Sequence, residues 1–111
     1  MVSINAFKKL ALSLPEAIEL PHFEKTSFRI NNKIFTTLDI EKQKAVLMLT
    51  KIDQSVFCAF DRTVIYPVDG YWGKQGATYF ELKKTRKDML KDALKCAYNK
   101  TVGIPPVSGG K

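Results

Sequence analysis

The sequence predicts an α+β fold in two layers: an antiparallel sheet of about five strands with helices at the N-terminus, in the middle and at the C-terminus. Two observations lead to this class. Apolar residues recur at helical spacing in three separated segments, whereas the segments between them are short and alternate apolar with polar residues. Short turns join most of the predicted strands, so these strands run antiparallel and the helices cover mainly one face of the sheet.

The first helix begins at Ser3, whose hydroxyl can cap the backbone of the first turn. Apolar side chains then follow one helical face from Ile4 to Leu14. Pro15 ends this helix, because the residue before a proline is pushed out of the α region. Residues 16–23 are ambiguous; residues 17–20 fit a short strand, with Pro21 marking either a sheet edge or the end of the strand.

Three strands are predicted next, at residues 26–30, 33–40 and 45–49. Asn31 and Asn32 form the first turn, because asparagine tolerates the positive φ of tight hairpins. A polar turn at residues 41–43 joins the second strand to the third. The third strand is apolar without interruption, which predicts a position near the centre of the sheet.

The second half of the chain predicts two helices and two strands. Thr50 or Asp53 caps a helix over residues 52–60, and strands follow at 64–66 and 78–82, with a glycine-containing loop between them. Thr85 caps the last helix, 86–100, whose buried stripe comprises Met89, Leu90, Ala93, Leu94, Ala97 and Tyr98. Residues 1–100 are expected to form a single domain, and 101–111 a flexible tail rich in Gly, Pro and Ser.

The composition favours a binding protein over an enzyme. His22 is the only histidine, so neither a metal site nor an activated nucleophile has the usual partners, and we expect no cofactor and no catalytic residues. Cys58 and Cys96 are interpreted as reduced core thiols. With neither a signal peptide nor an apolar run of about 20 residues, the chain is expected to be cytoplasmic.

The positive charge is concentrated near the C-terminus. The net charge is +7, and residues 83–111 supply +6 of it, with eight basic and two acidic residues. A one-sided positive field favours phosphate-rich or acidic partners. Lys87, Lys91 and Lys95 recur four apart on the last helix, where they form either a solvated face or a surface for phosphates.

The stretch from Pro67 to Leu82 contains Gly70, Gly73 and Gly76 together with Trp72, the only tryptophan. Two interpretations remain open. Either Trp72 folds back over the end of the sheet, or the loop is an exposed wing in which Trp72 stacks or wedges while Lys74 and Gln75 meet a nucleic acid. The hairpin turn around Lys33, with Arg29 nearby, is either an ordinary turn or a first wing.

Four segments of the sequence resemble the MmcQ/YjbR family of small bacterial proteins, from the first helix to about Lys100. The resemblance lies in Leu14-Pro15-Glu16-Ala17, in residues 23–30 (FEKTSFRI), in Asn32-Lys33-Ile34-Phe35, and most specifically in residues 72–78 (WGKQGAT). It implies a compact α+β fold similar to type III secretion chaperones, and a DNA-binding function through a double wing. Many members of the family carry a histidine beside this tryptophan, and this chain does not.

The leading hypothesis is therefore a non-catalytic protein that binds double-stranded DNA through its phosphate backbone. The candidate contact residues are Arg29, Lys33, Trp72, Lys74, Gln75, Lys87 and Lys91. This hypothesis requires the two wings and the lysine-bearing helix to face one direction. The alternatives are a protein-interaction or chaperone-like module, and a pocket for a small ligand between the sheet and the glycine loop. A monomer or weak dimer without membrane or metal is expected.

Overall fold

The computed structural model describes residues 2–22 and 24–103. These residues form one six-stranded antiparallel sheet and four helices. In chain order the elements are α1 (Ile4–Leu12), β1 (Ile18–His22), β2 (Lys25–Ile30), β3 (Lys33–Asp39), β4 (Lys44–Met48), α2 (Lys51–Cys58), β5 (Ile65–Pro67), α3 (Tyr71–Lys74), β6 (Ala77–Glu81) and α4 (Lys87–Val102). The strand order is β1-β2-β3-β4-β6-β5. The predicted α+β class is confirmed.

Helix α4 covers one face of the sheet. Its buried stripe, Leu90, Ala93, Leu94 and Ala97, packs over β2, β3 and β4. The sheet side chains beneath the helices include Phe28, Leu38, Leu47 and Phe80, all fully buried. Burial of each large apolar side chain contributes about 1.5–3 kcal/mol. Helix α1 extends this layer, with Phe7 edge-to-face against Phe28 at 5.6 Å.

The sheet has six strands, one more than expected, because the ambiguous segment before Pro21 forms β1. This strand pairs with β2 over five residues, from Ile18 opposite Arg29 to His22 opposite Lys25. Backbone pairing with β2 therefore makes this segment a strand, although its own side chains are mostly exposed. Both edge strands carry a proline, Pro21 in β1 and Pro67 in β5, which lacks the N–H needed for continuous pairing.

The predicted helix caps are correct at two of three positions. Ser3 Oγ accepts from the Ala6 N–H, and Thr50 Oγ1 accepts from the Asp53 N–H, each at 3.0 Å. Thr85 is not the cap of α4, because its buried hydroxyl donates to the Glu81 carbonyl at 2.8 Å. Arg86 takes the cap position with an extended backbone and no side-chain bond. Because the Thr85 hydroxyl is bonded to a carbonyl that precedes the helix, it does not cap the first turn of α4.

The glycine loop contains the single-turn helix α3, which the sequence did not predict. A Cβ on Gly73 would lie 1.6 Å from the Val68 carbonyl oxygen, and one on Gly76 would lie 2.0 Å from that of Leu49. Gly76 also has a φ of +113°, which residues with a side chain rarely adopt. The Gln54 side chain donates to the carbonyls of Gly73 and Ala77, at 2.9 and 3.0 Å, and so ties α2 to both ends of this turn.

The end of the described chain extends the last helix. Thr101 and Val102 continue α4 beyond its predicted end, and Gly103 caps it in the left-handed conformation with a φ of 83°. The rest of the predicted flexible tail, residues 104–111, lies outside the described residues. Cys58 and Cys96 are both free. Among the described helices, none has the length and apolar character required to cross a membrane.

We predict that Gly73→Ala lowers the free energy of unfolding by about 1–3 kcal/mol, because the added methyl group overlaps the Val68 carbonyl. At a helical position with free space, a Gly→Ala change raises the free energy of unfolding by about 1 kcal/mol. The sign of the change therefore shows whether Gly73 is in close backbone contact. Urea unfolding measures the difference, with Lys74→Ala in the same turn as the exposed control. An unchanged or increased stability of Gly73→Ala would contradict the close approach.

Candidate functional site

The face of the sheet opposite α4 is open and contains a groove. Directly opposite residues of antiparallel strands point to the same face, and on this face the pairs Arg29–Ile34, Thr37–Val46 and Val46–Tyr79 cross four strands. The groove has a volume of about 600 Å³ and is lined by His22, Lys25, Arg29, Asn32, Ile34, Thr37, Val46, Met48, Val68, Trp72, Ala77 and Tyr79. It is an apolar floor with a polar rim.

Two projections flank the groove at one end of the sheet. One is the hairpin tip, Asn31 to Lys33, and the other is the glycine loop, residues 68–76. The strand registers place the start of β3, the end of β4 and the start of β6 at this end. Because only β4 separates β3 from β6, the two projections lie about two strand spacings, or about 10 Å, apart.

Arg29 is held in position at the hairpin side of the groove. Its Nε donates to Ser27 Oγ at 2.9 Å, and Ser27 Oγ donates to the Leu20 carbonyl at 2.9 Å. Among the described residues no carboxylate forms an ion pair with Arg29. The guanidinium is therefore oriented by one nitrogen while its terminal nitrogens are available for a bidentate acceptor such as phosphate.

Trp72 stands at the opposite rim, on α3. Its side chain is 60% exposed, so it does not plug the end of the sheet, and the neighbouring Tyr71 ring lies edge-to-face with it at 5.6 Å. Gly70 precedes the turn with a φ of 80° and Gly76 follows it. Close backbone packing at Gly73 thus presents an exposed indole on a rigid turn.

A polar cluster occupies the other end of the open face. The Tyr66 hydroxyl donates to Glu81 Oε2, and Lys44 Nζ lies 3.5 Å from the same oxygen and 4.7 Å from the centre of the Tyr79 ring. Burial, followed by the bond to Glu81, raises the pKa of Tyr66. Interaction with the Tyr66 side chain is the main cause that raises the pKa of Lys44, and Glu81 adds to it. Lys44 compensates the charge of Glu81. The three side chains together link β4, β5 and β6.

The structure brings four of the seven predicted contact residues together and separates three. Arg29 and Trp72 line the groove, and Lys74 and Gln75 are exposed at the end of α3. Lys33 lies at the hairpin tip opposite Ile30, which is buried in the core, so its side chain leaves the sheet on the helical side. Lys87 and Lys91 are exposed on α4, in the layer that covers the opposite face of the sheet. Lys87 lies against α1 instead, in a shallow cleft that also includes Ser3 and Lys9. The two projections and the lysine-bearing helix do not face one direction.

Several residues of the site were missed from the sequence. Ser27 orients Arg29, Gln54 holds the glycine loop, and Lys25 adds a second cation to the groove. The alternation of β2 gave a signal for Ser27 and Arg29, since both lie on its polar face. No comparable local signal marks Gln54, because its partners are 19 and 23 residues away.

The remaining chemistry of the described residues is sparse. Within residues 2–22 and 24–103, no three His, Cys, Asp or Glu side chains are grouped in a way that could hold a metal ion. Burial raises the pKa of the Cys96 thiol to about 11, and nearby Asp53 and Asp92 add to this shift. A thiol with a raised pKa is a poor nucleophile at neutral pH. The groove remains the surface with the clearest capacity to bind.

We predict that the free energy of unfolding falls as pH rises above about 10, since the ordinary pKa values of tyrosine and lysine are 10.0 and 10.5. Raised pKa values let the folded protein keep protons that the unfolded chain releases, so stability decreases with pH. Urea unfolding at pH 9 and at pH 11 measures this decrease in the free energy of unfolding. The decrease should be smaller for Tyr66→Phe than for the unchanged protein. Tyr71→Phe, which removes a hydroxyl remote from Glu81, should keep the full decrease; equal behaviour of the two variants would contradict the prediction.

The fold is similar to that of a solved structure over the whole length of the chain. The crystal structure of the Deinococcus radiodurans protein DR2400, whose domain is described as DUF419, matches with a TM-score of 0.75 and 17% sequence identity. The match covers 100% of this chain and 96% of that one. No family model matches the chain, and no curated protein matches it in sequence. At this level of identity the comparison shows a shared fold and leaves activity open.

Proposed function

We propose that this protein binds nucleic acid through the open face of the sheet and the two projections that flank it. The observation that carries the proposal is the groove itself: its lining includes the cations Lys25 and Arg29, and no carboxylate occurs among its described residues. Lys74, exposed on the glycine loop, adds a third cation beside the groove, and Lys33 adds positive charge at the hairpin tip. Double-stranded DNA, expected from the sequence, and a single strand share the phosphates that such cations contact.

Three further expectations from the sequence belong to the same proposal. The protein acts by binding, without catalysis or a cofactor. It is a member of the MmcQ/YjbR family, a membership supported by the motifs around Thr26 to Phe35 and Trp72 to Thr78, which form the two projections and their strands. It works in the cytoplasm, where the free thiols of Cys58 and Cys96 remain reduced.

The location of the binding surface is tested by two double variants with the same change in charge. Arg29→Gln with Lys25→Gln removes two cations that line the groove, and Lys87→Gln with Lys91→Gln removes two from the helical side. We predict that the groove pair weakens binding about tenfold or more, because it removes phosphate contacts, and lowers the salt dependence by about two counterions. The helical pair should have a much smaller effect. Fluorescence anisotropy with labelled DNA at two salt concentrations measures both quantities.

Two results would contradict the proposal. Equal losses for the two double variants would show that overall charge, and not the groove, determines binding. An affinity that does not change with salt would exclude contacts to the phosphate backbone. Urea unfolding of each variant checks that the substitutions leave the fold intact.

A second candidate function, protein interaction, is favoured by a different surface. Helix α2 and the residues that follow it expose Ile52, Val56 and Phe60, at 76%, 53% and 63%, spaced four residues apart on one side. Exposed apolar groups that form a contiguous stripe mark protein contacts more often than isolated ones do.

If this stripe mediates self-association, light scattering should show a mass that increases with protein concentration. Val56→Lys should abolish the increase, because it places a charge in the centre of the stripe. Lys51→Ala, in the first turn of the same helix, is the control and should retain the association. A monomer at all concentrations would remove self-association as a role of this surface.

A further inference from the structure

We propose that the groove holds one unpaired nucleobase, stacked against Trp72, with the adjacent phosphate at Arg29; this inference rests on the proposed function and specifies its ligand. The preferred partner is then a single strand, or a strand with an unstacked base, in place of an intact duplex.

The size and floor of the groove suit a flat aromatic group. Its volume of about 600 Å³ lies within the range of about 300–1,000 Å³ that is typical of ligand sites. The floor is formed by Ile34, Val46, Met48 and Ala77, which are apolar and can be covered without loss of hydrogen bonds. A phosphate chain alone would leave this floor in water, whereas a base would bury it.

Trp72 is placed to stack on such a base. Its indole is mostly exposed although the turn that carries it is packed at Gly73 against the backbone of Val68. Tyr71 packs against it edge-to-face, with the ring centres 5.6 Å apart. A large apolar ring held at the rim of a groove gains contact area at small entropic cost when a second ring covers it.

Arg29 and Lys25 supply the charge complementarity. Ser27 fixes the Arg29 guanidinium through Nε, and the described lining offers no competing carboxylate. A phosphate can therefore accept two parallel hydrogen bonds from its terminal nitrogens. The arginine lies on β2 and the indole on α3, at opposite rims, so a base between them places its own phosphate within the reach of the cations.

An intact duplex cannot contact the Trp72 indole, the apolar floor and the cations of the groove at the same time. In a duplex each base face is covered by its neighbours, so no face is available to an aromatic side chain unless the base leaves the stack. The cations alone would bind a duplex and a single strand through the same phosphates. The aromatic rim and the apolar floor distinguish the two.

The test uses the full chain and three labelled DNA probes: a short oligothymidylate, a strand of the same length and charge made of abasic residues, and a blunt duplex. We expect the thymidylate to bind about tenfold or more tightly than the abasic strand, since stacking on one aromatic residue contributes this much. It should also bind more tightly than the duplex. Because Trp72 is the only tryptophan, its fluorescence should change with the thymidylate and not with the abasic strand.

A matched pair of variants locates the effect. Trp72→Leu should reduce the affinity for thymidylate to that for the abasic strand, whereas Phe60→Leu should leave it unchanged, although the two aromatic residues are similarly exposed. If thymidylate and abasic strands bind equally and both weaken with salt, the base site is refuted and the proposed function stands. If the duplex binds more tightly than the thymidylate, the base site is likewise refuted and the proposed function stands. If no probe binds in a salt-dependent way, both proposals fail.

Discussion

Coverage of the sheet on one face only is the constraint on which the rest of the structure depends. Ala93 and Ala97 of α4 are small and fully buried, so the helix can approach the sheet closely next to Leu90 and Leu94. This helix, with α1 and α2 beside it, fills one layer of the two-layer fold. The opposite face must therefore remain stable in contact with water. It does so with half-buried side chains, and with the Lys44–Tyr66–Glu81 cluster that joins three strands.

The chain turns in both projections through residues that tolerate a positive φ. The hairpin tip turns at Asn31 and Asn32, which have φ angles of 52° and 68°, and the glycine loop turns at Gly70 and Gly76. Asparagine and glycine adopt such angles with little strain. Each projection is thus shaped by its backbone, and it presents side chains such as Asn32 and Trp72 to the groove without a covering layer.

Local patterns predicted the elements of the fold, whereas the groove depends on contacts that no local pattern contains. The spacing of Leu90, Ala93, Leu94 and Ala97 predicted the buried stripe of α4, and the apolar run around Leu47 predicted a central strand. The groove forms because β6 inserts between β4 and β5, which brings Ala77 and Tyr79 beside Met48 and Val46. For Lys87 and Lys91 the spacing predicted exposure correctly. It could not predict which face of the sheet α4 would cover.

The distribution of charge separates attraction at long range from contact at short range. Most of the net charge of +7 belongs to residues 83–111, and the part of this segment that α4 forms lies in the helical layer. This layer and the open face are about 10 Å or more apart, which exceeds the screening length of about 8 Å at physiological ionic strength. The α4 lysines therefore contribute to the field that attracts a polyanion at low salt. Under physiological conditions the local cations, above all the oriented guanidinium of Arg29, determine where its phosphates rest.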